Sequence, residues 1–373
     1  MRVGLDLHTL TGLMQGSRTY MANLAARLPL AAPDLEFVYY VPDPDDPGVR
    51  VLVSDASNVT FRPIPTGRLA RLVRPFPARL RREVDVFHCQ YLAPLAPTVP
   101  CVVTIHDILH ETMPQYFPRG LGRLMRLCYP YGARRAAVVL TVSDFSRAEI
   151  VARYRVPPGR VSFVHSGVGD EFAPASEAAV AAVRTRYAIP DSPYILYVGR
   201  MEPRKNLPGL VAAYRLVRKR LGAEAPTLVL AGGRDALFTA FHDRILREGS
   251  GEGIVFAGSV PQADLPALLS GASVFAYPSF GEGFGLPVIE AMACGAPVVA
   301  GTAPAVPEVA GGAALLVDPH DPAAIADGLC RVLTDPALAG KLAAKGLARA
   351  RMFRWDNAVA LAAAAYRRAG SAG

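Results

Sequence analysis

The sequence predicts an α/β protein of two domains, each a parallel sheet with helices on both faces, and three observations carry that expectation. The chain has 373 residues, more than a single α/β core usually takes, so its length favours two domains packed around a cleft. Short β-branched and aromatic runs alternate with helical patterns from end to end, the rhythm of strands joined by crossover helices. That rhythm pauses at SGVGDEFAPAS, residues 166–176, where Gly and Pro cluster, and then restarts. With 51% apolar and 19% charged residues, the chain can fill two cores and has no composition for long disordered tracts.

In the first domain, residues 1–170, the strands are RVGLDL, EFVYYV, VDVFHC, CVVTIHD and AVVLTVS, with a further strand-like VSFVHS just before the pause. In the second, residues 171–355, they are YILYVG, TLVLAG, IVFAG, SVFAYPS, APVVA and ALLVDP. Each is a brief apolar run closed by a Gly, Pro or polar residue, the signature of a strand buried on both faces. The Ala-rich segment at 356–373 ends in Arg and follows a complete second domain, so it is expected to cross back as a helix onto the first.

Composition excludes several classes. The five cysteines are scattered, odd in number and form no C-x-x-C pair, which reads as free thiols in a reducing compartment. The opening MRVGLDLHTL lacks a signal-peptide pattern, and no run of about 18 uncharged apolar residues occurs. A cytoplasmic location follows as the expectation. The net charge of +8 is uneven: residues 1–170 hold 20 Arg against 14 acids, net +6, leaving 20 basic and 18 acidic residues, net +2, in the remainder. Nucleic acid is a poor partner because no helix-turn-helix, zinc-finger or RNP-type pattern accompanies the charge. An anionic membrane surface or a phosphorylated substrate fits better.

The chemistry is concentrated in SVFAYPSFGEGFGLPVIEAMACGAPVVAG, residues 273–301, which reads strand, loop, helix, strand. Pro287 suits the first helical position and Gly295 the left-handed stop, giving a helix of about two turns. The three glycines of Gly281-Glu282-Gly283-Phe284-Gly285-Leu286 let a ligand approach the backbone at the helix start, a seat for phosphate. Glu282 stands in that loop and Glu290 eight residues later in the first turn of the helix. Carboxylates beside an anion must face its uncharged part, and the hydroxyls of ribose and hexose are natural donors to them. A nucleotide sugar supplies both. The balancing cations lie in YILYVGRMEPRKNLPGL, where Arg200, Arg204 and Lys205 follow a strand and Asn206 can cap the next helix. These groups supply charge stabilisation without a metal, and no cofactor is expected beyond the nucleotide-sugar donor.

VGRMEPRKN and EGFGLPVIEAMACGAPVV together resemble the donor site of retaining glycosyltransferase family 4, of the GT-B fold, in which two Rossmann-like domains face each other across a cleft. TIHDIL at 104–109, VVLTVSDFSRAEI at 138–150 and AVPEVAGGAALLVDPHDP at 305–322 are similar to the same family. The resemblance implies that Arg200 and Lys205 clasp the diphosphate and that Glu290 holds the ribose. Glu282, with backbone groups of Phe284, Gly285 and Leu286, holds the transferred sugar, and Val260 meets the base. His106 and Asp107 face the sugar from the first domain, and the loop Thr11 to Ser17, with Gly12 and Gly16, approaches the donor phosphate. General likeness to bacterial polysaccharide mannosyltransferases points to GDP-mannose first and UDP-sugars next, with a glycan or lipid-linked acceptor.

Other readings stand beside these. A GT-B epimerase or hydrolase would use the donor alone, and a two-domain sugar-binding protein would bind without chemistry; the Gly-rich helix start and the missing export signal disfavour them. A dehydrogenase lacks its G-x-G-x-x-G after the first strand. Asp43-Pro-Asp45 spells a D-x-D metal motif but sits in an acidic Pro-rich turn. His106 and His110 stand at i, i+4 without a third ligand, so no metal is expected. Arg68, Arg71, Arg74, Arg79, Arg81 and Arg82, and then Arg119, Arg123 and Arg126, are interleaved with Leu, Val and Phe. That mixture suits peripheral contact with an anionic leaflet, or else a solvated Arg-rich face.

Overall fold

The computed structural model of the chain describes residues 1–11, 16–53, 56–73, 76–233, 239–249 and 253–371. The chain divides into two compact units: Met1–Gly167 with Arg354–Gly373, and Val168–Phe353.

The strands of the first unit are β1 (Arg2–Asp6), β2 (Glu36–Val41), β3 (Val59–Pro63), β4 (Val86–Gln90), β5 (Cys101–Thr104), β6 (Val138–Thr141) and β7 (Val161–Phe163). Its helices are α1 (Gly16–Ala31), α2 (Pro47–Leu52), α3 (Arg68–Leu72), α4 (Phe76–Glu83), α5 (Leu109–Thr112), α6 (Arg119–Arg135) and α7 (Asp144–Tyr154). Among the described residues the strands form one parallel sheet in the order β3-β2-β1-β4-β5-β6-β7. β4, β5 and β6 are buried along their whole length, as strands covered on both faces must be. β3, at the sheet edge, alternates half-buried and exposed positions. Tyr40, Phe76 and Phe87 meet edge to face at 5.5 to 5.9 Å in the core under α4.

The second unit holds β8 (Tyr194–Val198), β9 (Thr227–Ala231), β10 (Ile254–Gly258), β11 (Val274–Tyr277), β12 (Val298–Gly301) and β13 (Leu315–Val317). Its helices are α8 (Glu177–Arg186), α9 (Leu207–Leu221), α10 (Thr239–Gly249), α11 (Leu265–Ser270), α12 (Leu286–Ala293), α13 (Val306–Ala310), α14 (Pro322–Thr334) and α15 (Pro336–Ala350). The described strands again form a parallel sheet, ordered β10-β9-β8-β11-β12-β13.

The last helix, α16 (Trp355–Gly370), belongs to the first unit. It is tied there by the Tyr366 hydroxyl at 2.7 Å from Nδ1 of the buried His88 and by an Arg367–Asp34 ion pair at 2.7 Å. Burial pushes the His88 pKa down to about 4, so this histidine is a neutral structural link between helix and sheet. A side chain on Gly167 would collide with the Trp355 backbone, which is how closely the returning chain passes.

Candidate active site

In each sheet the strand order reverses once, between β1 and β4 in the first unit and between β8 and β11 in the second. Ligands of open α/β sheets bind outside the carboxyl ends of the strands at such a reversal. In the second unit the loop after β8 carries Arg200, Glu202, Arg204 and Lys205, and the loop after β11 carries Glu282. After β8 the chain makes a short turn at Pro203–Lys205, and Asn206 takes a left-handed conformation (φ 58°) whose side chain accepts the Gly209 N–H at 3.2 Å and so starts α9. After β11 comes the Gly-rich segment, and the Phe280 N–H donates to the Arg204 carbonyl at 2.9 Å, stitching the two loops together.

Side chains complete the stitch. Arg204 donates to the Gly281 carbonyl, to Glu282 Oε2 at 2.9 Å and to Glu202 Oε1 at 2.5 Å. Lys205 Nζ donates to Glu282 Oε1 at 2.7 Å and to the Tyr277 hydroxyl at 2.8 Å. Lys205 and Glu282 are buried, 8% and 5% exposed. Burial alone would raise the Glu282 pKa, but Arg204 and Lys205 outweigh it and hold the carboxyl at about 2. Lys205 is shifted down, because its desolvation exceeds the attraction of Glu282. Two cations and two carboxylates leave the cluster near neutral. Arg204 and Lys205 therefore share their charge with Glu202 and Glu282. An ammonium has three N–H groups, so Lys205 keeps one beyond those two bonds.

The helix start carries the rest. Gly285 sits at φ +102°, a conformation that strains any residue with a Cβ. α12 begins at Leu286, so Pro287 is its second residue rather than its first, and Glu290 is its fifth, one residue further in than the spacing suggested. Val288 N–H returns to the Gly285 carbonyl at 2.9 Å. Pro287 has no N–H, and the amides of Gly285 and Leu286 have no partner among the described residues. They are the donors left for an anion at the positive end of the helix. Phe284 is buried, edge-on to Phe353 at 5.7 Å. The Glu290 carboxyl also lacks any hydrogen bond or ion pair among the described residues. Desolvation, with a smaller contribution from Glu171, raises its pKa to about 7.

The remaining expected residues are placed as follows. Arg200 follows β8 by two residues, and its carbonyl accepts the Tyr197 hydroxyl at 3.0 Å. Val260 lies half-buried just past β10. In the first unit His106 and Asp107 follow β5. His106 Nε2 bonds Gln90 Oε1 at 3.0 Å, and burial, aided by His88, lowers its pKa to about 3. Asp107 Oδ1 accepts the Leu109 N–H at 3.1 Å, closing a turn ahead of α5. Gly16 is the first residue of α1, and the expected phosphate-facing loop at 12–15 lies outside the described residues. Asp43 accepts the Asp45 N–H at 3.0 Å, as a solvated turn does. Among the described residues no group of three or more His, Cys, Asp or Glu is placed to hold a metal, and no helix is long and apolar enough to cross a membrane. Sequence reasoning missed Glu202 and Tyr277 as members of the cluster; Glu202, two residues before Arg204, was the visible signal.

Two reversal-point sheets, one with a candidate anion seat flanked by carboxylates, define a two-domain α/β protein. Two family profiles match the chain: Glycosyltransferase Family 4 over residues 14–172 and Glycosyl transferases group 1 over residues 192–335. It is 39% identical over 269 residues to the O-antigen chain mannosyltransferase B of Escherichia coli, covering 71% of this chain and 70% of that one. To a D-inositol 3-phosphate glycosyltransferase of Salinispora tropica it is 36% identical over 388 residues, covering 94% and 80%. Among solved structures, sucrose-phosphate synthase from Thermosynechococcus elongatus superposes with a TM-score of 0.76 at 22% identity, over the full length of both chains. The chain belongs to the family 4 glycosyltransferases and has their GT-B fold.

Proposed function

We propose that this glycosyltransferase is a retaining, metal-independent hexosyltransferase that moves mannose from GDP-mannose to a glycan or lipid-linked acceptor in polysaccharide assembly. The observation that carries this reading is the β8/β11 site: unpartnered amides at Gly285 and Leu286, the third N–H of Lys205, and the unpartnered Glu290 carboxyl on the same helix. Amides and ammonium suit a diphosphate, and a lone carboxylate suits a ribose diol. The mannose assignment is supported by the name of the 39% identical relative, and UDP-sugars are the next donors to try.

Retention is supported by the lack of a strong base or nucleophile at the two side chains that the resemblance gives to the sugar, Glu282 and His106. Glu282, ion-paired and held at about 2, is a weak base and nucleophile, and His106, at about 3, stays neutral. A proton from the acceptor hydroxyl then passes to the departing diphosphate oxygen on the same face, and the protein positions the partners and stabilises charge.

A lipid-linked acceptor is presented at a leaflet, and one face of α6 suits such contact. Arg119 and Arg123 are exposed and have no partner among the described residues, and between them and the helix end Leu124 and Leu127 are 40% and 74% exposed. Basic and apolar groups mixed on one helix face are what an anionic interface binds.

Thermal shift tests the donor assignment. A nucleotide at 100 times its Kd adds about 2.7 kcal/mol of stability, so GDP should raise Tm more than UDP, and GDP-mannose should be slowly hydrolysed. No stabilisation by either nucleotide would refute the assignment.

A further inference from the structure

Lys205 is tied on one side by the Glu282 ion pair and on the other by a neutral group, the Tyr277 hydroxyl at 2.8 Å. Tyr277 is the last residue of β11 and is fully buried. Burial, and next the charge of Glu282, raises its pKa well above the usual tyrosine value, so the hydroxyl stays protonated and neutral. Such a hydroxyl accepts an ammonium N–H and fixes its direction without cancelling its charge.

The ring is held as firmly as it holds the ammonium. It stacks on Tyr197 of β8, with centroids 6.2 Å and planes 17° apart, and on Phe275 of its own strand at 5.9 Å. Tyr197 in turn donates its hydroxyl to the Arg200 carbonyl at 3.0 Å, anchoring the loop that carries Lys205. The Tyr277 ring also borders the start of α12: a Cβ at Gly285 would stand 4.0 Å from the ring edge, an ordinary contact distance. Tyr277 thus adjoins both sources of positive charge at the seat, the Lys205 ammonium and the helix start with its unpartnered amides.

We propose that Tyr277 is a positioning residue for the transfer: its ring and hydroxyl fix the Lys205 ammonium beside the start of α12, so that the remaining N–H meets the donor diphosphate as it departs. This rests on the reading of the β8/β11 site as the donor site. Tyr277 touches no substrate and acts through Lys205. The diphosphate gains negative charge as the sugar leaves, so an N–H held rigidly towards it favours the transition state over the bound donor.

Tyr277→Phe tests this, because it keeps the ring, its stacking and its contact with α12 and removes only the hydroxyl. With GDP-mannose, kcat should fall about tenfold, the effect of one hydrogen bond to a charged group, while the GDP-mannose KM changes less than about twofold. The alkaline limb of the kcat profile should move to lower pH, since an ammonium that loses a hydrogen-bond acceptor gives up its proton more easily. Glu282, Arg204 and Glu202, the charges that face Lys205, all remain in the variant. In a Lys205→Ala background the same substitution should change kcat less than about twofold, because the hydroxyl then has no ammonium to aim. A Tyr277→Phe enzyme with wild-type kcat overturns the proposal, as does an alkaline limb that stays in place or a full further loss on top of Lys205→Ala. If the wild type turns over no GDP-mannose, the donor assignment fails by itself, and calorimetry with inorganic pyrophosphate decides. Affinity about tenfold weaker in Tyr277→Phe supports the positioning role; equal affinity, or no binding to the wild type, overturns it.

Discussion

Replacing Glu290 by glutamine should make the protein more stable and a poorer binder of nucleotide, with the gain confined to neutral and alkaline pH. The carboxyl is raised from an unperturbed 4.5 to about 7, chiefly by desolvation. An acid whose folded pKa is raised favours the fold fully below its unfolded pKa, and that contribution is lost as pH rises through the folded pKa. Each unit corresponds to about 1.4 kcal/mol, so the full penalty above neutrality is about 3 kcal/mol. Glu290 is only partly buried, and solvent screening together with the unsatisfied Gln amide reduces the expected gain to about 2 kcal/mol. Urea denaturation at about pH 8.5 should show that gain, and at about pH 4 the two proteins should coincide. Calorimetry with GDP should show affinity falling roughly tenfold or more, since Gln cannot accept charge-assisted bonds from a diol. A stability difference independent of pH would refute the reasoning, as would unchanged GDP affinity.

Glu282 should behave in the opposite sense. Its folded pKa of about 2 lies below the unfolded 4.5, so its contribution is present above the unfolded value and lost as pH falls towards 2. Glu282→Gln should remove that acid-side dependence and cost about 3 kcal/mol at neutral pH while sparing GDP affinity and damaging transfer; equal loss of GDP affinity in the Glu282 and Glu290 variants would refute the division of roles. Turnover should survive EDTA, and Lys205→Ala should lose roughly 100-fold in rate; activity abolished by chelation and restored by magnesium or manganese would contradict this. The protein should sediment with anionic liposomes at low salt, each exposed Arg contributing about 1 kcal/mol, and Arg119→Glu with Arg123→Glu should weaken it. Binding indifferent to salt would point away from electrostatic docking.

The two parallel sheets were legible because their strands are continuous apolar runs between Gly and Pro, and so was the left-handed Gly295 (φ +80°) that follows α12, a backbone glycine adopts without strain. β3 was not, because an edge strand with exposed Thr60, Arg62 and Pro63 reads as loop. Glu282 was expected to meet a sugar, yet in the structure it first meets Arg204 and Lys205, which lie 78 and 77 residues earlier in the chain. No local pattern reports such a pairing.

The most direct test of the proposed chemistry follows the sugar released when water replaces the acceptor. GDP-mannose labelled at its anomeric carbon is incubated with the enzyme in EDTA, and the first mannose to appear is observed by NMR before it mutarotates. The α anomer appearing first is the expected result, since retention carries the donor configuration into the product. The β anomer appearing first, or no release from a protein that binds GDP, would contradict a retaining, metal-independent transfer at the β8/β11 site.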